Sequence, residues 1–321
     1  NSEIISSYLE KCFDYIQTAT TANNQDIWMV PLYESATGTW YVPENMEKFG
    51  ISAEELGTLD NYIEVLKRLQ GRMGQYNYYN NGATFFAHCE SRYDANYNNY
   101  ETGEINFDTP LYRHIAELFW PGWDRYGSAT ANHPLFFKVQ QHGEVMTEGE
   151  TPDLNRDTVV FKTINMHEHL LWSRYIRMKE NGEDIVEATR TALQGWRILP
   201  FPKLQSDSEK ETIAMTYAYV NPYSKQKEAA IEYLESILEN QAEFVQMPLF
   251  FREDMEYYQP YYDTSMPAFQ DIYEIFKNAD VFYGYSWDLS DAYITDYQRD
   301  LISFDEAIER RQKQAMTGLE E

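Results

Sequence analysis

The stretch "IWMVPLYESATGTWYVPENMEKFGI", residues 27–51, places Tyr33, Glu34, Ser35 and Trp40 close together. An aromatic ring offers an apolar face, and a neighbouring carboxylate or hydroxyl accepts hydrogen bonds from hydroxyl groups. That pairing suits capture of a polyhydroxylated molecule, whose C–H faces stack on rings. Glu34 reads equally as an ordinary surface carboxylate, and Trp40 as a core ring or a ligand contact. Trp28, Trp172 and Trp196 read as core.

Other chemistry is less well served. His167-Glu168-His169 looks like part of a zinc motif, but HExxH needs a second histidine where Leu171 stands. Residues two apart also do not share a helical face. There is no Gly-rich phosphate loop, no GxSxG elbow and no nucleophilic cysteine context. With 52 Asp and Glu residues, chance carboxylate pairs are abundant, and no spacing singles out a glycosidase pair. No catalytic residue, metal or cofactor is assigned.

The 321 residues include 27 Tyr, 17 Phe and 7 Trp, more rings than a core alone explains. The formal net charge of -26 repels nucleic acid and anionic lipid and fits a neutral or cationic ligand; solubility alone would also account for it. No apolar run approaches the roughly 18 residues of a membrane span. Cys12 and Cys89 have no metal-type spacing and read as free thiols. The chain opens on Asn without a signal peptide and reads as a processed or trimmed product.

Strands and helices alternate, which argues an α/β architecture. Residues 27–30 read as a strand ending at Pro31, followed by a polar connection over 33–38 and a second strand over 39–42. Leu59, Tyr62, Ile63, Leu66 and Leu69 recur at helical spacing, with Gly71 closing the run. Ser224 reads as the N-cap of a helix carrying Ala230, Tyr233, Leu234, Ile237 and Leu238. Ser303–Glu306 reads as a capping box. Strand-like pieces fall at 158–161, 197–200 and 216–220. Residues 75–86 and 93–107 read as loops rich in Tyr, Asn and Gly, the second with a Thr102-Gly103 turn.

Four segments in order, "IWMVPLYESATGTWYVPENMEKFGI", "YETGEINFDTPLYRHIAELF", "GWRILPFPK" with "YAYVNPYSKQKEAAIEYLESIL", and "ISFDEAIERRQKQA", resemble the extracellular solute-binding proteins of ABC importers, in the group that includes maltose-binding protein. The resemblance implies a two-lobe periplasmic-binding-protein-like fold of type II, with a ligand held in the inter-lobe cleft and the lobes closing by hinge motion. Only 26 residues precede Ile27, where the family begins with a strand–helix–strand–helix block, so the N-terminal lobe is expected to be incomplete. The lobes are expected at 1–35 with 220–255, and at 36–219 with 256–321. Crossing strands are expected near Tyr33–Thr39, near Tyr217–Val220 and before the last helices.

On this resemblance the chain is a carbohydrate receptor, not an enzyme. Tyr33, Glu34, Ser35 and Trp40 edge the cleft. Phe85, Phe86 and His88 fall where the family places second-lobe aromatics, His167 at a helix start, and Tyr285 and Trp287 where a stacking aromatic precedes a late helix. Tyr219 lies on a crossing strand, and Trp120 and Trp123 line the cleft or pack. The implied partners are a carbohydrate and the importer's permease subunits, with no nucleic acid and no membrane contact except through a lipid anchor absent from this chain. The implied state is a monomer at the cell surface or in the periplasm. A peptide or polyamine ligand in the same fold, and a glycoside hydrolase, are the competing readings.

Overall fold

The computed structural model describes residues 2–21, 27, 29–69, 72–79, 82–93, 96–99, 102–120, 140–141, 144–145, 156–166, 178, 182–204, 210–240, 252–281 and 292–320. In chain order, α1 (Glu3–Leu9) and α2 (Asp14–Thr20) lead to β1 (Val30–Ser35) and β2 (Thr37–Tyr41), then α3 (Pro43–Lys48) and α4 (Leu59–Leu69). Next come β3 (Asn77–Tyr79), α5 (Gly82–Arg92), the short pair β4 (Asn98–Asn99) and β5 (Glu104–Ile105), and α6 (Pro110–Phe119). β6 (Gln140–Gln141), β7 (Glu144–Val145) and β8 (Val159–Asn165) precede α7 (Ile185–Leu193), β9 (Arg197–Pro200) and β10 (Glu211–Ala218). α8 (Lys227–Glu239), α9 (Pro267–Lys277), β11 (Ala279–Val281), α10 (Ala292–Gln298) and α11 (Phe304–Glu320) complete the order. None of these helices is long and apolar enough to cross a membrane.

The chain forms two compact units, Asn1–Leu59 with Ile164–Phe282, and Asp60–Thr163 with Tyr283–Glu321. This division departs from the expected boundaries at 35/36, 219/220 and 255/256. The reason is strand pairing: β1 and β10 form one antiparallel ladder from Val30↔Ala218 to Ser35↔Ala214, so both stay in the first unit. The chain changes unit at 59/60, 163/164 and 282/283 instead.

In the first unit β10 also pairs with β11 in parallel, Glu211↔Ala279 through Ile213↔Val281. Parallel neighbours need a long crossover, and α8 and α9 lie within it. β2 pairs antiparallel with β9, Gly38↔Pro200 through Tyr41↔Arg197. Arg197 donates Nε and Nη2 to Asp271 at 2.6 and 2.7 Å, and Asp271 also accepts from the Ile198 N–H at 3.2 Å, which fastens α9 to β9. α9 itself starts on Pro267, a residue whose fixed φ suits a first helical turn, and buries Phe269, Ile272, Tyr273 and Phe276.

The strand expected to stop at Pro31 runs through it. β1 spans Val30–Ser35, and only Ala36 separates it from β2, so the polar "connection" is ladder. Proline lacks an N–H and interrupts a ladder; here the register slips between Pro31 and Tyr33, leaving Leu32 as the extra residue of a bulge. β1 lies at the end of the strand order β1-β10-β11, where a proline is tolerated.

In the second unit β3 pairs with β6 antiparallel and with β8 in parallel. Residues 75–86, expected as loop, therefore hold β3 and the start of α5. Within 93–107, expected as loop, β4 and β5 pair as a hairpin, Asn98↔Ile105 and Asn99↔Glu104, with Gly103 at a left-handed φ of 71°. Asn99 Oδ1 accepts from the Thr102 N–H at 3.2 Å and tightens that turn. α4 matches its expected spacing, burying Leu59, Tyr62, Ile63, Leu66 and Leu69. α6 is capped by Thr109, whose Oγ1 accepts from the Tyr112 N–H at 3.2 Å.

The core of this unit is a sealed cluster of rings. Phe85 lies 5.2 Å from Tyr62 and 5.7 Å from Phe119, and Phe86 lies 6.1 Å from Trp120, measured between ring centres. Trp120 in turn meets Tyr293 at 5.5 Å and Phe304 at 5.4 Å. Inside it Arg311 Nη2 and Nε donate to Glu90 Oε1 at 2.8 and 3.0 Å, and the Tyr112 hydroxyl donates to the same oxygen at 3.0 Å. The Arg311 guanidinium sits 4.2 Å above the Phe107 ring. Burial opposes the arginine's charge, but Glu90 beside it holds its pKa above the ordinary value.

Two local expectations shift. Ser224 is not the cap of α8: Asn221 Oδ1 accepts from the Tyr223 N–H and Ser224 Oγ from the Gln226 N–H, forming a turn, and the helix begins at Lys227. At Ser303 half of the capping box forms, with Oγ accepting from the Glu306 N–H at 3.2 Å, while the Glu306 carboxylate turns to Arg310 at 2.9 Å. Cys12 and Cys89 are both buried, with no disulfide between them.

Candidate functional site

The junction between β1 and β2 is where two of the sequence-predicted segments meet. Tyr33, Glu34 and Ser35 are the last three residues of β1, opposite Thr216, Met215 and Ala214. Ala36 follows, and its carbonyl accepts a hydrogen bond from the Met166 N–H at 2.8 Å. The segment at Asn165–Met166, about 130 positions away, is thereby brought against the end of β1. His167 is the next residue, and it lies outside the described residues.

Close packing fixes that approach. A Cβ on Gly38 would stand 2.6 Å from the Met166 methyl, 2.9 Å from the Leu199 carbonyl oxygen and 3.0 Å from Ile198 Cδ1. Glycine is therefore required on β2 for the Met166 side chain, itself buried, to lie over the strand. β2 is backed by β9, and β9 by Asp271 on α9, so the junction rests on rigid elements. Tyr41, on the same strand, has its hydroxyl pKa raised, first by burial and then by Asp271 and Glu54 against the opposing pull of Arg197. Sequence reasoning named Tyr33–Ser35 and His167 but missed Gly38; a glycine inside an otherwise β-branched and aromatic strand was the available signal.

Four other candidates are placed in cores. Trp40 is fully buried and meets Trp196 edge-on at 6.3 Å. Phe85, Phe86 and Trp120 are fully buried in the ring cluster of the second unit. A ring with no accessible surface presents no face for stacking, so these four are packing residues. His88 is half-buried on α5. Tyr219 is 65% exposed but stands past the end of β10. Because Val30 pairs with Ala218 and Ser35 with Ala214, Tyr219 lies at the opposite end of β1 from Ser35, about 17 Å away at a strand's rise. Trp123, Tyr285 and Trp287 lie outside the described residues.

The first unit also carries two cavities. One of about 710 Å³ is walled by charged groups of both signs, among them Asp14, Lys203, Glu211, Glu253, Glu274 and Lys277. The other, of about 620 Å³, is apolar and has Tyr219 on its edge. Among the described residues no cluster of three or more His, Cys, Asp or Glu is arranged to hold a metal ion.

No family model matches the chain, and no curated protein matches its sequence. Solved structures do match in fold. An ABC transporter solute-binding protein from Thermotoga lettingae TMO, bound with alpha-D-tagatose, aligns over 98% of this chain and 79% of its own at 14% identity and a TM-score of 0.57. One from Agrobacterium radiobacter K84, in complex with ribitol, aligns over 98% of this chain and 76% of its own at 14% identity and a TM-score of 0.59. A cyclic alpha-maltosyl-1,6-maltose binding protein from Arthrobacter globiformis aligns over 97% and 76% at 12% identity and a TM-score of 0.55. The fold is the mixed α/β fold of periplasmic solute-binding proteins.

Proposed function

We propose that the chain is the solute-binding receptor of an ABC importer and captures a carbohydrate or polyol. The observation that carries the reading is the fold likeness over almost the whole chain to three binding proteins whose ligands are tagatose, ribitol and a cyclic oligosaccharide. The work asked of such a protein is capture and delivery, and no residue is assigned to bond making.

The proposed ligand contacts centre on the β1–β2 junction. Tyr33 supplies a ring, Glu34 and Ser35 accept or exchange hydrogen bonds with hydroxyls, and His167, next in sequence to Met166, is a further proposed contact. His88, Trp123, Tyr285 and Trp287 are the proposed contacts from the rest of the chain. A neutral polyol carries no charge to complement, so its affinity rests on stacking and on a set of satisfied hydrogen bonds. Ligand binding drives closure only through tighter binding to the closed form. The receptor is proposed to act as a monomer outside the cytoplasmic membrane, held there by a lipid anchor and docking on permease subunits. A polyamine ligand is the second reading, favoured by the net charge of -26.

Thermal unfolding of the chain across a panel of sugars and polyols, with spermidine alongside, tests both. Stabilisation by one sugar or polyol class, independent of salt, supports the first reading. Stabilisation by spermidine alone, fading with salt, replaces it with the second.

A further inference from the structure

Two arginines are buried among the described residues, and their surroundings differ. Arg311 in the second unit pairs with Glu90. Arg252 in the first unit is 7% exposed, and its side chain forms no ion pair and no hydrogen bond with a described residue. Its Nε–H is sealed from solvent and has no acceptor. A buried charge without a partner is costly, which is why breaking a buried ion pair from one side is strongly destabilising. With 52 acidic residues against 26 basic ones, a carboxylate is the charged group this arginine had most chance of meeting within the chain. Glu253, Asp254 and Glu256 follow it directly and do not pair with it. Glu253 lines the charged cavity instead, and Asp254 Oδ1 accepts from the Glu256 N–H at 2.9 Å.

The position of Arg252 is fixed on several sides. Its backbone N–H donates to the Tyr258 hydroxyl at 2.9 Å, and that hydroxyl donates to the Arg252 carbonyl at 3.2 Å. The backbone bridges antiparallel to Cys12, and the Glu253 N–H donates to the Lys11 carbonyl at 3.1 Å. The guanidinium carbon lies 4.4 Å from the centre of the Tyr257 ring and 5.3 Å from that of Tyr8. Ring faces stabilise a desolvated guanidinium. They do not satisfy its N–H bonds, which lie in its own plane and call for oxygen acceptors.

We propose that Arg252 anchors an oxyanion site whose ligand is a carboxylate-bearing small molecule, held by the guanidinium fork beside Tyr8 and Tyr257. A carboxylate matches that fork with two parallel hydrogen bonds. A phosphate offers the same edge, but its second charge adds to the repulsion from a chain of net charge -26, and Arg252 supplies a single positive charge. The site stands independently of what the β1–β2 junction binds.

Nitrogen-15 NMR of the arginine Nε–H groups in the full chain tests this, with propionate as the probe, inorganic phosphate as the rival and sodium chloride at matched ionic strength as the control. Arg252→Lys assigns the signal. Propionate is expected to shift the Arg252 Nε–H resonance saturably, and sodium chloride to leave it in place. Thermal unfolding gives a second readout. Propionate at about ten times its dissociation constant should raise the parent's Tm by about 2 °C and leave that of Arg252→Met unmoved. Without propionate, Arg252→Met should melt no lower than the parent, because it removes an uncompensated buried charge. No saturable shift, or an equal shift with sodium chloride, overturns the proposal. Saturation by phosphate and not by propionate overturns the carboxylate assignment. A markedly lower Tm in Arg252→Met, with the parent indifferent to propionate, assigns the arginine to packing alone and overturns the site. If Arg252→Met does not fold, the titration of the parent decides.

Discussion

Both units bury rings in their cores, but among the described residues the strongly exposed rings all lie in the first. In the second unit Phe85, Phe86, Tyr112 and Trp120 have no exposed surface and surround a buried Arg311–Glu90 pair. In the first unit Tyr217, Tyr219, Tyr223 and Tyr233 stand in solvent, the first two of them lining an apolar groove. A single compositional surplus thus divides into rings that hold a lobe together and rings available to bind. Ring content alone does not separate them; what surrounds each ring does.

The contrast is sharpest in stability. Glu90→Ala removes the partner of a fully buried arginine and should cost about 3–5 kcal/mol in denaturant unfolding. Trp120→Ala, which empties the centre of the cluster, should cost a comparable 3–5 kcal/mol. If either variant unfolds like the parent, the second unit does not depend on this cluster. Gly38→Ala should cost about 1–3 kcal/mol, because the new methyl meets the Leu199 carbonyl as well as the mobile end of Met166. Pairing it with Met166→Ala should restore part of the loss, since only the Met166 contact is relieved. Tyr223→Ser, by contrast, should leave stability within about 0.5 kcal/mol, as its ring is 91% exposed.

The smallest effect is a matter of pH. Asp263 accepts from Ser265 Oγ at 2.6 Å, and from Arg190 Nε at 3.0 Å and the Ser265 N–H at 3.2 Å. Those bonds hold its pKa below the ordinary aspartate value. A depressed carboxylate stabilises the fold above its unfolded pKa and loses that contribution as pH falls through the folded one. The stabilisation is therefore intact at neutral pH and disappears only on acidification into and below the usual aspartate range. Asp263→Asn should flatten that part of the acid-unfolding curve slightly and leave the Arg311–Glu90 region unaffected.

Much of the fold was legible from sequence where local and tertiary signals agree. β9 occupies the expected 197–200, α4 follows its apolar spacing, and the Thr102-Gly103 turn closes a hairpin. Misreadings arose where a partner strand outvoted local chemistry. Pro31 was absorbed by a bulge against β10, and the Asn- and Tyr-rich run at 77–79 became a strand because β8 and β6 satisfy its backbone. The candidate site was half legible for the same reason. Tyr33–Ser35 and the neighbourhood of Met166 were found as separate segments, but the hydrogen bond that joins them is tertiary. The burial of Phe85 and Phe86 was not visible at all, and for Trp40 and Trp120 packing stood only as one of two readings, since a buried ring and a stacking ring have the same sequence signature.

Isothermal titration calorimetry with a panel of neutral sugars and polyols, on the parent chain, Glu34→Ala and Tyr219→Ala, tests the central claim most directly. Saturable heat is expected from one sugar or polyol class, lost in Glu34→Ala and retained in Tyr219→Ala. Loss in Tyr219→Ala with retention in Glu34→Ala would move the sugar to the apolar groove and contradict the site at the β1–β2 junction, and binding of polyamines with no heat from any sugar would contradict the carbohydrate reading itself.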